Sequence, residues 1–154
     1  MPTVRVTEET SASPERVLEA ARDFSERRAE LWPDVHVEHL LVHETGDTFA
    51  DVTEGNPWPI GFVWERLRYD WSQAGSVKGR VVDSNLFKPG STWEIHATAT
   101  GDGSRVEIVA ERHLSGFKGR LLTPVFPLGL ARQTVAAHLR HFLRKVEEDA
   151  AQAP

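Results

Sequence analysis

Cysteine is missing from all 154 residues, which removes a disulfide framework, a thiolate zinc site and a cysteine nucleophile together. The absence suits a reducing compartment, and a cytoplasmic protein is expected. Positive charge is also scarce. Lys and Arg number 18 against 23 Asp and Glu, a formal net charge of -5, so there is no basic field to attract a phosphate backbone and no nucleic-acid partner is expected. Long apolar runs are lacking too. The richest, at 121–130, is broken by Pro124 and Pro127 and falls short of the roughly 20 residues that span a bilayer. The opening MPTVRVTEETSAS has neither the basic nor the apolar region of a signal peptide. Neither secretion nor membrane insertion is expected.

What is present reads as ordinary globular protein: 40% hydrophobic and 27% charged residues, with no internal repeat and no low-complexity tract. One domain is expected over residues 1–148, followed by a disordered tail at 149–154, as a monomer or homodimer. Val4 and Val6 alternate with Arg5 and Thr7, the period-two pattern of a half-buried strand. Ser13-Pro14 is an N-cap followed by proline at the first helical position, and Val17, Leu18 and Ala21 make the apolar side of the helix it opens. Asp23 or Ser25 can cap a second short helix that Pro33 ends.

From Val35 the pattern becomes β. Residues 35–44 and 48–54 read as a hairpin, and 61–73, 76–85, 91–100 and 105–114 as four further strands. Between the two groups, Asn56-Pro57-Trp58-Pro59 is expected to be a loop, because proline cannot donate to a ladder. The links Ala74-Gly75, Lys88-Pro89-Gly90 and Gly101-Asp102-Gly103-Ser104 carry turn chemistry, which implies an antiparallel meander. Finally Leu128, Ala131, Val135, Leu139, Phe142, Leu143 and Val146 fall on one helical stripe. Strand, two short helices, about six strands and a long amphipathic helix make an α+β fold, the last helix packed on the sheet.

This order resembles the START-like superfamily that includes polyketide cyclase/dehydrase (SRPBCC, helix-grip) proteins. The resemblance is carried by Ser-Ala-Ser-Pro-Glu-Arg-Val at 11–17, Leu31-Trp32-Pro33-Asp34, Lys88-Pro89-Gly90-Ser91-Thr92-Trp93, Gly101-Asp102-Gly103-Ser104-Arg105-Val106 and the closing helix from Leu139 to Glu147. It implies a helix-grip fold: a curved antiparallel sheet wrapped around the long C-terminal helix, with an apolar cavity between them. Relatives use that cavity for lipids, aromatic polyketides, hormones or quinones. No common catalytic set exists to carry over.

Strand parity selects the residues that face such a cavity. Val106, Ile108, Ala110, Arg112 and Leu114 share one face, as do Trp93, Ile95, Ala97 and Ala99, whose small members leave space. Val63, Glu65, Leu67, Tyr69 and Trp71 form the more apolar face of their strand, and Val77, Gly79, Val81 and Asp83 that of the next. The expected ligand-binding set is Trp58, Val63, Glu65, Leu67, Tyr69, Trp71, Val81, Asp83, Trp93, Ile95, Ala97, Ile108, Ala110, Arg112, Arg132 and Val135. Mostly apolar walls with a few polar groups are what a pocket needs. Arg112 either pairs with Asp83 or Glu65 as an internal salt bridge or orients a ligand, and Arg132 either snorkels outward or places a cation near the cavity.

Three functions follow from this pattern taken together with what the resemblance implies. The leading expectation is binding or carriage of a hydrophobic small molecule: a lipid, a quinone or an aromatic polyketide-like compound. The second is a cyclase or dehydratase in the same cavity, with Asp83 or Glu65 moving a proton and Arg112 or Tyr69 holding an enolate. The third is an interaction module whose core is simply full. No cofactor is expected. His36, His39, His43, His138 and His141 form no ligand motif, so no metal site is expected, and Ser115-Gly116 lacks the setting of a nucleophile elbow.

Overall fold

The computed structural model describes residues 3–59, 61–122 and 128–152. The first strand, β1 (Val4–Thr10), buries Val4 and Val6 while Arg5 and Thr7 face out. In α1 (Pro14–Ala21) the Ser13 side chain accepts from the Arg16 N–H, and Val17 and Ala21 are buried. Asp23 accepts from the backbone of Ser25, and the Ser25 hydroxyl from that of Arg27, which leads into α2 (Arg28–Leu31). A single 3-10 turn, Val37–His39, occupies what the alternation suggested was a longer strand.

Six strands then follow: β2 (Leu41–Thr45), β3 (Phe49–Trp58), β4 (Gly61–Asp70), β5 (Ser76–Ser84), β6 (Thr92–Ala99) and β7 (Ser104–Glu111). Together with β1 they make one sheet in the order β1-β7-β6-β5-β4-β3-β2, every neighbouring pair antiparallel. At the β5–β6 link, Gly90 has φ 93° and the Ser91 N–H bonds the Lys88 carbonyl. Proline followed by a left-handed glycine is what that turn requires. Two helices close the chain, α3 (Gly116–Leu122) and α4 (Leu128–Gln152). The long helix lies on β1 and against α1 and α2, burying Ala136, Leu139, Phe142, Leu143 and Val146. The helix-grip architecture expected from the element order is the one observed.

Two further local expectations are corrected. Asn56, Pro57 and Trp58 are not a loop: they extend β3 and pair with Val63, Phe62 and Gly61. Beyond Thr53, β3 has no β2 partner, so this stretch is an edge, where proline is tolerated. The last helix runs to Gln152, past the boundary expected at 148, and Asp149 is ion-paired with Arg27. Pro124 and Pro127 lie outside the described residues, and α3 was not anticipated.

Arg28 fastens the helical layer to the sheet. Its Nε donates to Glu54 of β3 at 2.6 Å, its Nη2 to the Tyr69 hydroxyl of β4 at 3.1 Å, and its Nη1 to the carbonyls of Ala21 and Asp23 at 3.1 and 3.3 Å. The guanidinium also lies over the rings of Phe24 and Tyr69 and is 1% exposed. A buried charge persists only when its donors are satisfied and an opposite charge is adjacent. Burial works against this cation, but Glu54 and Tyr69 more than offset it, so its affinity for the proton stands above the ordinary arginine value.

Arg28→Ala leaves Glu54 buried without its cation and is expected to destabilise the fold by about 3–5 kcal/mol. Arg27→Ala, which removes pairs to Glu30 and Asp149 on a partly exposed surface, is expected to cost at most about 1 kcal/mol. Urea unfolding of both variants measures the contrast; equal losses would contradict the role given to Arg28.

Candidate functional site

Between the concave face of the sheet, α2 and α4 lies a cavity of about 160 Å³. Its apolar wall comes from Trp32 and Val35 after α2, Trp93 of β6, Ile108 and Ala110 of β7, and Val135 of α4. Its polar wall comes from Arg28, Asp34, Glu54, Glu65, Arg112 and His138. The aromatic part is rigid: Trp32 stacks on Phe142 with centroids 4.3 Å apart and meets the edge of Trp93 at 5.7 Å. Trp93 in turn contacts Tyr69 at 5.8 Å. Gly79 allows this, because a Cβ there would come within 2.8 Å of Trp93 Nε1 and 2.9 Å of Tyr69 Cε1.

Two charged groups of different character stand side by side. Glu54 and Glu65 are cross-strand partners on β3 and β4, and each has an arginine. The Glu54 group is saturated, since Arg28 bonds two side chains and two carbonyls while the Tyr69 hydroxyl also donates to Glu54 at 3.1 Å. The Glu65 group is spare. Arg112 Nη2 donates to Glu65 at 2.5 Å, and among the described residues Glu65 is the single hydrogen-bond partner of Arg112. The guanidinium stacks over the Phe87 ring at 4.0 Å. Of the two carboxylates considered as partners of Arg112, Glu65 is the one that pairs with it.

Burial pushes the Glu65 carboxyl up; Arg112 pulls it back, Glu54 and Asp34 push it further, and it settles at about 7. Burial also raises the Tyr69 hydroxyl far above the ordinary phenol value, with the Glu54 charge adding to it. Tyr69 is therefore a neutral hydrogen-bonding group at any physiological pH.

Of the expected site residues, Glu65, Trp93, Ile108, Ala110, Arg112 and Val135 line the cavity. Val63, Leu67, Tyr69, Val81, Ile95 and Ala97 face inward as parity requires but belong to the packed core. Trp71 is half-buried, stacks on Phe24 and donates to the Asp47 carbonyl. Trp58 is half-buried, donates to Asn56 and meets the edge of Phe87, so it packs within β3 rather than forming a lid on a loop.

Asp83 is exposed and does not reach the cavity. A bulge between Arg66 and Leu67 on the β4–β5 ladder pairs Leu67 with Val81 but Arg66 with Asp83. Val82 is the extra residue, and everything after it changes face. Arg132 and Ala99 are exposed as well, and His141 bonds the Glu30 carbonyl.

Parity could have found Glu54, which shares a face with the fully buried Ala50 and Val52. Arg28, Trp32, Asp34, Val35 and His138 come from short or edge-facing segments with no periodic signal. Among the described residues, no three His, Cys, Asp or Glu side chains are grouped to hold a metal ion, and no helix is long and apolar enough to cross a membrane.

A carboxyl whose ordinary value of 4.5 is raised to about 7 by folding takes up a proton when the chain folds between those limits. Stability should therefore fall as pH rises from about 4.5 to about 7 and level off above, by on the order of 3 kcal/mol. Glu65→Gln removes this slope. Denaturant unfolding of wild type and variant across that window measures it, and a difference between them that stays constant with pH would rule it out.

Comparison with known proteins agrees with this architecture. The chain has a fold in common with TTHA0849 from Thermus thermophilus (TM-score 0.79, 19% identity, 99% of this chain and 100% of that one). It is similar in the same sense to the Zhui aromatase/cyclase from a Streptomyces species (0.70, 16%, 98% and 94%). A START superfamily protein from Mycobacterium smegmatis is a third (0.70, 10%, 97% and 97%). At these identities the likeness shows the fold alone. No match to a curated protein was found. Residues 1–150 match the family described as polyketide cyclase / dehydrase and lipid transport. The chain belongs to that family, the match running from its first strand into its last helix.

Proposed function

We propose that this protein binds a hydrophobic small molecule in the cavity between its sheet and its last helix. The observation that carries the reading is the cavity itself: aromatic and aliphatic walls from Trp32, Val35, Trp93, Ile108, Ala110 and Val135, with an ion pair at one side. A core filled by its own side chains would leave no such space, so the interaction-module alternative has less support. The volume bounds the ligand. Pockets for drug-sized molecules run to about 300–1,000 Å³, whereas an apolar cavity of roughly 150 Å³ accommodates benzene. At about 160 Å³, this one suits a single ring, or the ring of a longer molecule whose remainder leaves past Asp34 and His138.

A second reading is favoured by Glu65. A carboxyl that titrates near neutrality beside an arginine is suited to moving a proton during cyclisation or dehydration of the bound molecule. Glu65 takes the acid/base role in that reading, with Arg112 facing the developing oxyanion. Asp83, on the outer surface, has no part in it.

Native mass spectrometry of the purified protein, with extraction of what co-purifies, tests the ligand class directly. Ala110→Phe places a ring in the cavity and is expected to lower the affinity for indole, used as a probe, by at least about tenfold while the circular dichroism spectrum stays that of wild type. Undiminished indole binding by the folded variant would move the site elsewhere.

A further inference from the structure

The cavity holds more hydrogen-bond donors than it holds acceptors for them. Arg112 gives one N–H to Glu65, and its other donors have no partner among the described residues. The Trp32 ring lines the same space, and its buried Nε1–H has no acceptor there either. Arg28, by contrast, is fully engaged by Glu54, Tyr69 and two carbonyls and is not available to a ligand. A buried donor without a partner, as at Trp32 Nε1, is uncommon and costly in a folded protein, whereas the idle N–H groups of Arg112, whose side chain is 22% exposed, are open to what enters the cavity. They are complementary to an oxygen-bearing acceptor, the best of which is an anion.

An anion can reach the idle donors of Arg112, but the charge of Arg112 is already matched by Glu65. The charged and titratable groups around it are Glu54 on β3, Asp34 after α2, and Arg28, Arg112 and His138, with Tyr69 behind. Arg28 is matched by Glu54. A ligand carboxylate beside an ionised Glu65 would face three protein carboxylates with one spare cation. If Glu65 takes a proton from water as the ligand arrives, the ligand carboxylate alone matches Arg112 and the site gains no net charge. The proton count closes: solvent gives up one proton, the Glu65 carboxylate becomes a carboxylic acid, and the ligand carboxylate takes the idle N–H groups of Arg112.

We infer that the ligand is a single-ring aromatic acid, its ring in the apolar half of the cavity and its carboxylate on Arg112, and that it binds together with one proton, which goes to Glu65. The inference rests on the cavity being a binding site. The ring size follows from the volume, the acid from the idle donors of Arg112, and the proton from the cross-strand placement of Glu65 beside Glu54. The environment of Glu65, which already holds its carboxyl near 7, makes the proton easy to accept.

Isothermal titration calorimetry in buffers of different ionisation enthalpy reads both halves of the claim, with benzoate as the acid and toluene as the neutral ring. At about pH 8, where a carboxyl titrating near 7 is mostly ionised, benzoate should bind wild type with uptake approaching one proton. The uptake should fade below about pH 6, and toluene should bind with none. Glu65→Gln should bind benzoate with no uptake at either pH and more tightly than wild type at the higher one. Arg112→Met should lose at least about tenfold in benzoate affinity and keep that for toluene, which also shows that the variant is folded. Benzoate binding without proton uptake, or with an affinity unchanged in Arg112→Met, overturns the inference while leaving the cavity as a binding site. Failure of both benzoate and toluene to bind wild type overturns the binding reading itself.

Discussion

A buried guanidinium must have its hydrogens accepted and its charge matched, and in this protein that requirement organises the interior. Arg28 reaches from a one-turn helix into the concave face of the sheet, where Glu54, Tyr69 and two carbonyls receive it. Four bonds from one side chain hold α2 against β3 and β4. That placement in turn brings Trp32 onto Phe142 of the long helix and Val35 into the core. The space left between sheet and helices is the cavity, so its walls depend on an ion pair that is not itself free to bind anything.

Beside this closed pair stands an open one. Glu65 and Arg112 come from β4 and from the end of β7, next to the α3 segment, and they meet across the cavity. The two pairs differ in how many partners their arginines have, not in residue type. Where four of the five N–H donors are used, as in Arg28, the charge is structural; where most are idle, it can respond to what enters. Crowding the carboxylates Glu54 and Glu65 together on adjacent strands is costly unless a proton or a second cation is close. That cost gives the open pair its sensitivity to protons.

Much of the fold could be read from the residues. Alternation marked β1, β4, β6 and β7, and the inward faces of the last two strands hold as far as Ala97 and Arg112. The stripe from Ala131 to Val146 identified the helix that the sheet grips. Within the site, Glu65, Arg112, Trp93, Ile108, Ala110 and Val135 were legible because each lies on a strand or helix whose period persists through it. Asp83 was misread because a single extra residue, Val82, reverses the faces of everything after it. Asn56 to Trp58 was misread because the prohibition on proline holds inside a sheet and lapses at an edge.

Local patterning therefore determined which segments are strands and helices, their order, and which stretches bury one face. These properties depend on a few neighbouring residues and on the two periods of the backbone. Tertiary structure alone decided that Arg28 has four hydrogen bonds while Arg112 has one, that Trp32 and His138 line one cavity, and that Glu54 and Glu65 stand side by side. Each of those facts is a distance between groups far apart in the chain, set by sheet register and helix packing, and no local period encodes it.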